Sequence, residues 1–392
     1  MASKTHQKHA DLAKPDLGFF GRNEWAFLGA ACGNIRQLAS RLSAALSPDW
    51  KTAFVDADHK GAEEEKAQGR DAKTLLAHGA KLEYTDKITF HRFDLEEKMD
   101  TYQYRPMFNN MDMVLVNGNH FTAKKQVVII DPQKEDSLKR KLDRLTDVQL
   151  ILLGDGVNGV PGFLKEHLAG VGQTKTIPCL QLADFQKIET FFKKQMAAAA
   201  PPIAGLVLSG GKSLRMGYDK GMLEYYGKPQ REHMADLVEL LCQKTFISCR
   251  TDQVDVLMGE HFVLFDSVLN LGPFGAILSA FRSQPDSAWL VVACDLPLLD
   301  EKTLRYLVEN RNPSAIATAF RSPVNEFPEP LVAIWEPKAY PVLLQFMAQG
   351  YSCPRKVLIN SPVHLLDAPN PDALRNVNTP GELEEVMKLI AG

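Results

Sequence analysis

The chain has 392 residues, 45% of them hydrophobic and 24% charged, with a formal net charge of −3. That length builds two or three domains with real cores, and the composition is globular rather than disordered or fibrous. The near-neutral charge supplies no global field for nucleic acid or an anionic membrane surface, so any anion site must be local.

In chain order, Met1-Ala2-Ser3-Lys4-Thr5-His6-Gln7-Lys8-His9 is polar and has no apolar stretch behind it. This argues against a signal peptide. Residues 1–22 read as a flexible N-terminal tail. Trp25 to Gly29 is a short apolar run leading through Gly29-Ala30-Ala31-Cys32-Gly33-Asn34-Ile35-Arg36 into a helical pattern of Leu38, Leu42, Ala45 and Leu46. Strand, glycine loop and helix is the opening unit of a parallel α/β sheet. Further strands are expected at Lys51 to Val55, Lys87 to Phe93, Met111 to Val116, Gln126 to Ile130 and Leu150 to Leu153. Helices are expected over Glu63 to Gly79, Phe163 to Leu168 and Phe185 to Gln195. This alternation predicts a doubly wound domain over residues 23–196. Asp56, Asp58 and His59 could ligate a metal or simply form a polar strand end. Residues 197–202, Ala197-Ala198-Ala199-Ala200-Pro201-Pro202, read as a linker, because two prolines stop the preceding helix and keep the chain extended.

The second domain, residues 203–392, opens on the apolar run Ile203 to Leu208 and continues Ser209-Gly210-Gly211-Lys212-Ser213-Leu214-Arg215-Met216-Gly217-Tyr218-Asp219-Lys220. Paired glycines let a backbone approach a ligand closely, and their N–H groups can cradle phosphate oxygens. Arg215 and Lys220 add fixed positive charge for a polyphosphate. The spacing is not that of the Walker loop. The bland alternative is an ordinary Gly-Gly turn beside a solvated basic loop. A helix follows, with His233, Leu237, Leu240 and Leu241 on one side. Strands are expected at Thr245 to Cys249, Phe262 to Phe265, Trp289 to Ala293, Ala315 to Ala319 and Leu331 to Ile334. Leu271-Gly272-Pro273 opens another helix, and Thr379 caps a last one with Pro380 at its first position. Ser209-Gly210, Ser248, Asp266 and Asp295 each fall just past the C-terminal end of an expected parallel strand, where open α/β sheets bind ligands.

The loop from Leu206 to Lys220 resembles the signature of the molybdenum cofactor guanylyltransferases, Leu-x-Gly-Gly-x-Ser-x-Arg-Met-Gly-x-Asp-Lys. The ordered motifs Asp266-Ser267, Cys294-Asp295-Leu296-Pro297, Phe327-Pro328-Glu329-Pro330-Leu331-Val332-Ala333 and Asn376-Val377-Asn378-Thr379-Pro380-Gly381-Glu382-Leu383 extend the likeness across residues 203–390. The resemblance implies a Rossmann-like nucleotidyltransferase domain of the GT-A type. It implies nucleotide contacts at Leu208, Ser209, Gly210, Gly211, Lys220, Ser248, Asp266 and Asp295, with Ser248 where the family often has asparagine. It places Mg²⁺ on Asp295, catalytic roles on Arg215, Lys220 and Asp295, and cofactor or phosphate contacts on Asn376 and Asn378. The implied reaction joins GMP from GTP to molybdopterin and releases pyrophosphate. A cytidylyl or sugar-phosphate transferase and a non-catalytic delivery protein are the alternatives. Arg355 and Lys356 could meet an acidic substrate or form a solvated basic pair.

The first domain resembles the P-loop GTP-binding adapter of molybdopterin-guanine dinucleotide biosynthesis, through its first strand–loop–helix unit, Phe54-Val55-Asp56-Ala57-Asp58-His59 and Asp112-Met113-Val114-Leu115-Val116-Asn117-Gly118. It departs where the chemistry lies. Leu28 replaces the first glycine of the loop, Asn34 the lysine, Ile35 the Ser/Thr and Asn117 a glutamate. Without those groups it reads as a degenerate fold that lost hydrolysis. It could still bind the pterin, a molybdoenzyme apoprotein or another cofactor-biosynthesis protein. The six cysteines, Cys32, Cys179, Cys242, Cys249, Cys294 and Cys353, form no C-x-x-C pair. With no run of roughly 18 apolar residues for a membrane span, the expected location is cytoplasmic, with no membrane or nucleic-acid partner.

Overall fold

A computed structural model describes residues 18–58, 75–97, 99–173, 176–209, 220–249, 261–377 and 379–391. The chain divides into two compact units, residues 22–196 and residues 1–21 with 197–392. Both are α/β, as the alternating pattern predicts. Within the segment expected as a tail, Phe20 packs edge-on against Tyr340, centroids 6.2 Å apart, and Arg22 is buried against Glu24 at 2.9 Å.

The N-terminal unit carries β1 (Asn23–Leu28), α1 (Cys32–Leu46), β2 (Thr52–Val55), the hairpin β3 (Leu82–Asp86) and β4 (His91–Leu95), β5 (Met113–Asn117), β6 (Lys125–Ile130), β7 (Val148–Leu153), α2 (Gly162–Gly170), β8 (Cys179–Gln181) and α3 (Phe185–Ala198). Six strands form one sheet in the order β2-β5-β1-β6-β7-β8, all neighbours parallel. Strand alternation splits the core by face. Trp25, Phe27, Val127, Ile129, Leu150 and Leu152 meet α1 and α3, while Ala26, Leu28, Val128, Ile130, Ile151 and Leu153 meet α2. The expected strand from Lys87 to Phe93 is a correction. Lys87 N–H donates to Phe90 O at 2.9 Å, so a turn occupies its centre and β3 and β4 pair on either side. Of the helix expected over Glu63 to Gly79, residues 63–74 lie outside the described residues and Leu75–His78 is a 3₁₀ turn.

The C-terminal unit carries β9 (Ile203–Leu208), α4 (Gln230–Glu239), β10 (Thr245–Cys249), β11 (Phe262–Phe265), α5 (Pro273–Ser283), β12 (Ala288–Ala293), α6 (Glu301–Glu309), β13 (Ala317–Arg321), β14 (Pro328–Trp335), α7 (Ala339–Ala348), α8 (Pro354–Ile359), β15 (Val363–Leu366) and α9 (Pro380–Ala391). Its seven-stranded sheet has the order β11-β10-β9-β12-β14-β13-β15. Only β14 runs antiparallel to its neighbours. Leu206, Leu208, Trp289, Val291, Ala333 and Trp335 pack on α5, α7 and α8. Val207, Ile247, Leu290, Val292, Val332 and Ile334 pack on α4 and α6. Helices therefore cover both faces, in three layers.

The strand order decides where a ligand can enter. The chain moves outward from β9 to β10 and β11, then returns to place β12 on the other side of β9. The reversal lies between β9 and β12, which pair from Ala288↔Ile203 to Ala293↔Leu208. A crevice past the C-terminal ends of two such strands is where open α/β sheets bind ligands.

Candidate functional site

The apolar pairs Val207↔Val292 and Leu208↔Ala293 carry β9 and β12 to a common end. Past that end, Cys294 N–H donates to Leu208 O at 3.3 Å, which brings Ser209 and Asp295 to the same rim. Ser209 is 2% exposed; its N–H donates to Ser248 O at 3.2 Å, while its buried hydroxyl makes no hydrogen bond among the described residues.

Lys220 returns to this rim on a 3₁₀ turn, Lys220–Met222. Its ammonium donates to Val377 O at 2.9 Å and lies 3.9 Å from Asp295 Oδ2. Val377 N–H donates to Asp295 O at 2.9 Å. The peptide groups of Val377 thus join the loop lysine to the aspartate. Glu329 closes the group from a third direction. Glu329 lies in β14, antiparallel beside β12, close enough for its charge to act on the Asp295 carboxyl. Arg355 Nη2 donates to Glu329 Oε2 at 2.8 Å. Burial raises the Asp295 carboxyl above the ordinary carboxylate range; Lys220 opposes the shift and Glu329 reinforces it. Lys220 at 3.9 Å therefore leaves part of the cost of this partly buried charge uncompensated. Hard carboxylate oxygens with residual negative potential, 27% exposed on the Asp295 side chain, suit a small divalent cation such as Mg²⁺.

Ser248 and Asp266 form a second polar pair on the neighbouring strands. Ser248 lies inside β10 and is 1% exposed; its hydroxyl donates to Asp266 Oδ1 at 2.8 Å. Asp266 follows β11 directly, and its N–H donates to Cys249 O at 3.3 Å.

Of the residues expected at the site, Leu208, Ser209, Lys220 and Asp295 share the β9–β12 rim, and Ser248 with Asp266 lies beside it on β10 and β11. Asn376 is exposed next to Val377. Gly210, Gly211, Arg215 and Asn378 lie outside the described residues. Sequence reasoning assigned no role to Glu329, to the Val377 main chain or to Tyr226. Glu329 had a signal in its place within the Phe327 to Ala333 motif; a main-chain contact has none. His233, on the same side of its helix as Leu237, is stacked on Tyr226 with ring centroids 4.2 Å apart.

In the N-terminal unit, Gly29 has φ +91, and an added Cβ would sit 2.2 Å from Ile129 O, so the β1–α1 loop keeps its tight turn. Ile35, where a metal-binding hydroxyl would stand, is fully buried in the core. Asn117 Nδ2 donates to Asp56 Oδ1 at 2.7 Å, and Arg36 approaches the same carboxylate at 3.3 Å. Asp56 is engaged as a polar strand end, and His59 lies outside the described residues.

The family model for the MobA-like NTP transferase domain matches residues 205–364. A molybdenum cofactor biosynthesis bifunctional protein of Synechocystis sp. is 32% identical over 186 residues, which are 47% of this chain and 54% of that protein, so the match spans about half the length of that relative. A molybdenum cofactor guanylyltransferase of Pseudomonas putida is 30% identical over 200 residues, covering 48% of this chain and 100% of that protein. Among solved structures, molybdopterin-guanine dinucleotide biosynthesis protein A of Archaeoglobus fulgidus aligns at 22% identity with TM-score 0.42, over 48% of this chain and 98% of that one. The chain belongs to the MobA-like NTP transferase family and carries the family's domain in its C-terminal unit.

Proposed function

We propose that the C-terminal unit transfers GMP from GTP to a terminal phosphate of molybdopterin, forming molybdopterin guanine dinucleotide and pyrophosphate. The observation that carries this reading is the meeting of Lys220, Asp295 and the Val377 peptide groups at the reversal of strand order. The attacking phosphate is already an anion and needs no strong base. The barrier lies in bringing anions together in line. Lys220 holds negative charge of the triphosphate. Ser248 and Asp266 flank the nucleoside. A Mg²⁺ ion held by Asp295 supplies charge neutralisation at the phosphates when bound. Removing Lys220 costs about 10²–10³ in rate, the scale of other preorganised charge stabilisers.

The guanine preference rests on the Gly210-Gly211 pair and on the Pseudomonas putida relative. Ser248 reaches less far than the family's asparagine, which favours a test of the other bases. The N-terminal unit keeps a nucleotide-binding fold without the lysine and hydroxyl of phosphate hydrolysis, and serves in this reading to hold the pterin or a molybdoenzyme apoprotein. The experiment is incubation with molybdopterin, Mg²⁺ and each NTP, with mass analysis of the product and pyrophosphate release. A GMP adduct with GTP supports the reading. An adduct with CTP alone transfers the reading to a cytidylyl enzyme, and no adduct with any NTP overturns it.

A further inference from the structure

The short turn after Lys220 is built more firmly than a connection requires. Glu224 and Pro229 form an isolated antiparallel bridge, Gly227 turns at φ +76, and Gln230 N–H donates to Leu223 O at 2.8 Å. Its two tyrosines go to different segments. Tyr225 is 9% exposed and packs with Val377, Val386 and Leu298. Tyr226 donates its hydroxyl to Pro297 O at 2.7 Å and stacks on His233 with ring centroids 4.2 Å apart and planes 25° from parallel. Pro297 lies two residues beyond Asp295, and Val377 is the residue whose N–H holds Asp295 O. One turn therefore meets both stretches of chain that fix the aspartate.

We propose that the Glu224–Pro229 turn braces the ion-holding carboxylate, with Tyr226 as a positioning residue that sets the course of the Asp295–Pro297 segment through its hydroxyl. Burial keeps that hydroxyl protonated above its ordinary range, so it stays a donor at neutral pH. Tyr226 itself is 43% exposed, and the ring stack on His233 holds it in place without a core around it. Losing the hydroxyl leaves Pro297 O without this donor and loosens the direction of Asp295. Positional errors of about 1 Å at such a group cost up to ~10²-fold.

The test is Tyr226→Phe, which keeps the ring and its stack. The inference uses the nucleotidyl-transfer reading only for its kinetic readout; Mn²⁺ affinity in the presence of GTP, followed by electron paramagnetic resonance, reads the carboxylate directly. The expected result is a kcat lower by about tenfold with KM for GTP within about twofold, Mn²⁺ affinity weaker by about tenfold, and a melting point within about 2 °C of wild type. Asp295→Asn calibrates full loss of the ion site. Should the wild-type chain bind Mn²⁺ but transfer no nucleotide, the transfer reading falls and the Mn²⁺ comparison alone decides the brace. Equal Mn²⁺ affinity in Tyr226→Phe and wild type overturns the brace, as does a wild-type chain whose Mn²⁺ binding Asp295→Asn leaves unchanged. A loss that appears only as a lower melting point assigns Tyr226 a purely structural role and also overturns it.

Discussion

Replacing Asp295 with asparagine separates what the site costs from what it does. The carboxylate is 27% exposed, and Lys220 Nζ is 3.9 Å from it. At an effective dielectric of about 20 the gross attraction at that distance is about 4 kcal/mol. The carboxyl is nevertheless raised above its ordinary range, first by burial and then by Glu329, so desolvation outweighs Lys220. A carboxyl whose folded pKa exceeds its unfolded value binds protons more readily in the folded state. Its favourable contribution is present at acid pH and is lost as pH rises from about 3.9 through the raised folded value. At neutral pH the wild-type chain carries the full penalty, and Asp295→Asn relieves it. The main-chain bond from Val377 N–H to Asp295 O survives the substitution. A relief on the order of 1 kcal/mol raises the melting point of the C-terminal unit by about 2–4 °C near pH 7.5, and the advantage disappears near pH 4. In the same variant, pyrophosphate release falls by about 10²–10³. Calorimetric melts at both pH values and a release assay measure the two effects. A variant that melts lower than wild type at neutral pH refutes the burial argument, because the pair with Lys220 would then be net stabilising. Unimpaired release refutes the assignment of the carboxylate to the site.

Three other outcomes follow from the same contacts. Ser248→Ala removes the donor to Asp266 Oδ1, and calorimetry of GTP binding should show a loss of about 1 kcal/mol with little change in melting. Arg311 pairs with Glu336 through two contacts, 2.7 and 2.8 Å, and Glu336 is fully buried; Arg311→Ala removes both contacts from a buried ion pair and should destabilise by about 3–5 kcal/mol in denaturant titration. Gly205 faces Val238 Cγ1 at 2.2 Å and Thr245 Oγ1 at 2.8 Å from where a Cβ would stand, so Gly205→Ala overpacks the β9–α4 contact and should cost about 1–3 kcal/mol in the same titration.

Much of the frame was legible because strands buried on both faces leave continuous apolar runs. Ile203 to Leu208 and Trp289 to Ala293 are such runs, and both become central strands. Edge elements were legible only in part: β2 and β11 were expected as strands, while β8 and β15 were not. β15 pairs only with β13, and its four residues are all half-buried, so no run marks it. The hairpin of β3 and β4 misled because aromatic and β-branched residues cluster in its turn as well as in its arms. Thr379 was readable as a cap because its chemistry is local: Thr379 N–H donates to Glu382 Oε2 at 2.9 Å, and Glu382 N–H to Thr379 Oγ1 at 3.4 Å. Ser248 was placed past the end of its strand, yet it lies within β10 and meets a carboxylate from β11. Parallel pairing across a long connection set that contact, and no local spacing encodes it.

The site is therefore divided between two kinds of information. Lys220 and Asp295 are chemical choices, visible as residue types in a pattern. What brings them to 3.9 Å is mostly backbone: the shared end of β9 and β12, the peptide groups of Val377, and the carbonyl of Pro297. Any residue but proline at position 377 presents the same N–H and C=O, so sequence constrains Val377 mainly through packing; it is 1% exposed and clusters with Tyr225 and Val386. The apolar cluster of Tyr225, Val377 and Val386 then has a functional consequence although none of its side chains offers chemistry. Loosening it moves a peptide that holds both Lys220 and Asp295, so under the proposed function the C-terminal segment shapes the nucleotide site although it offers no chemistry of its own.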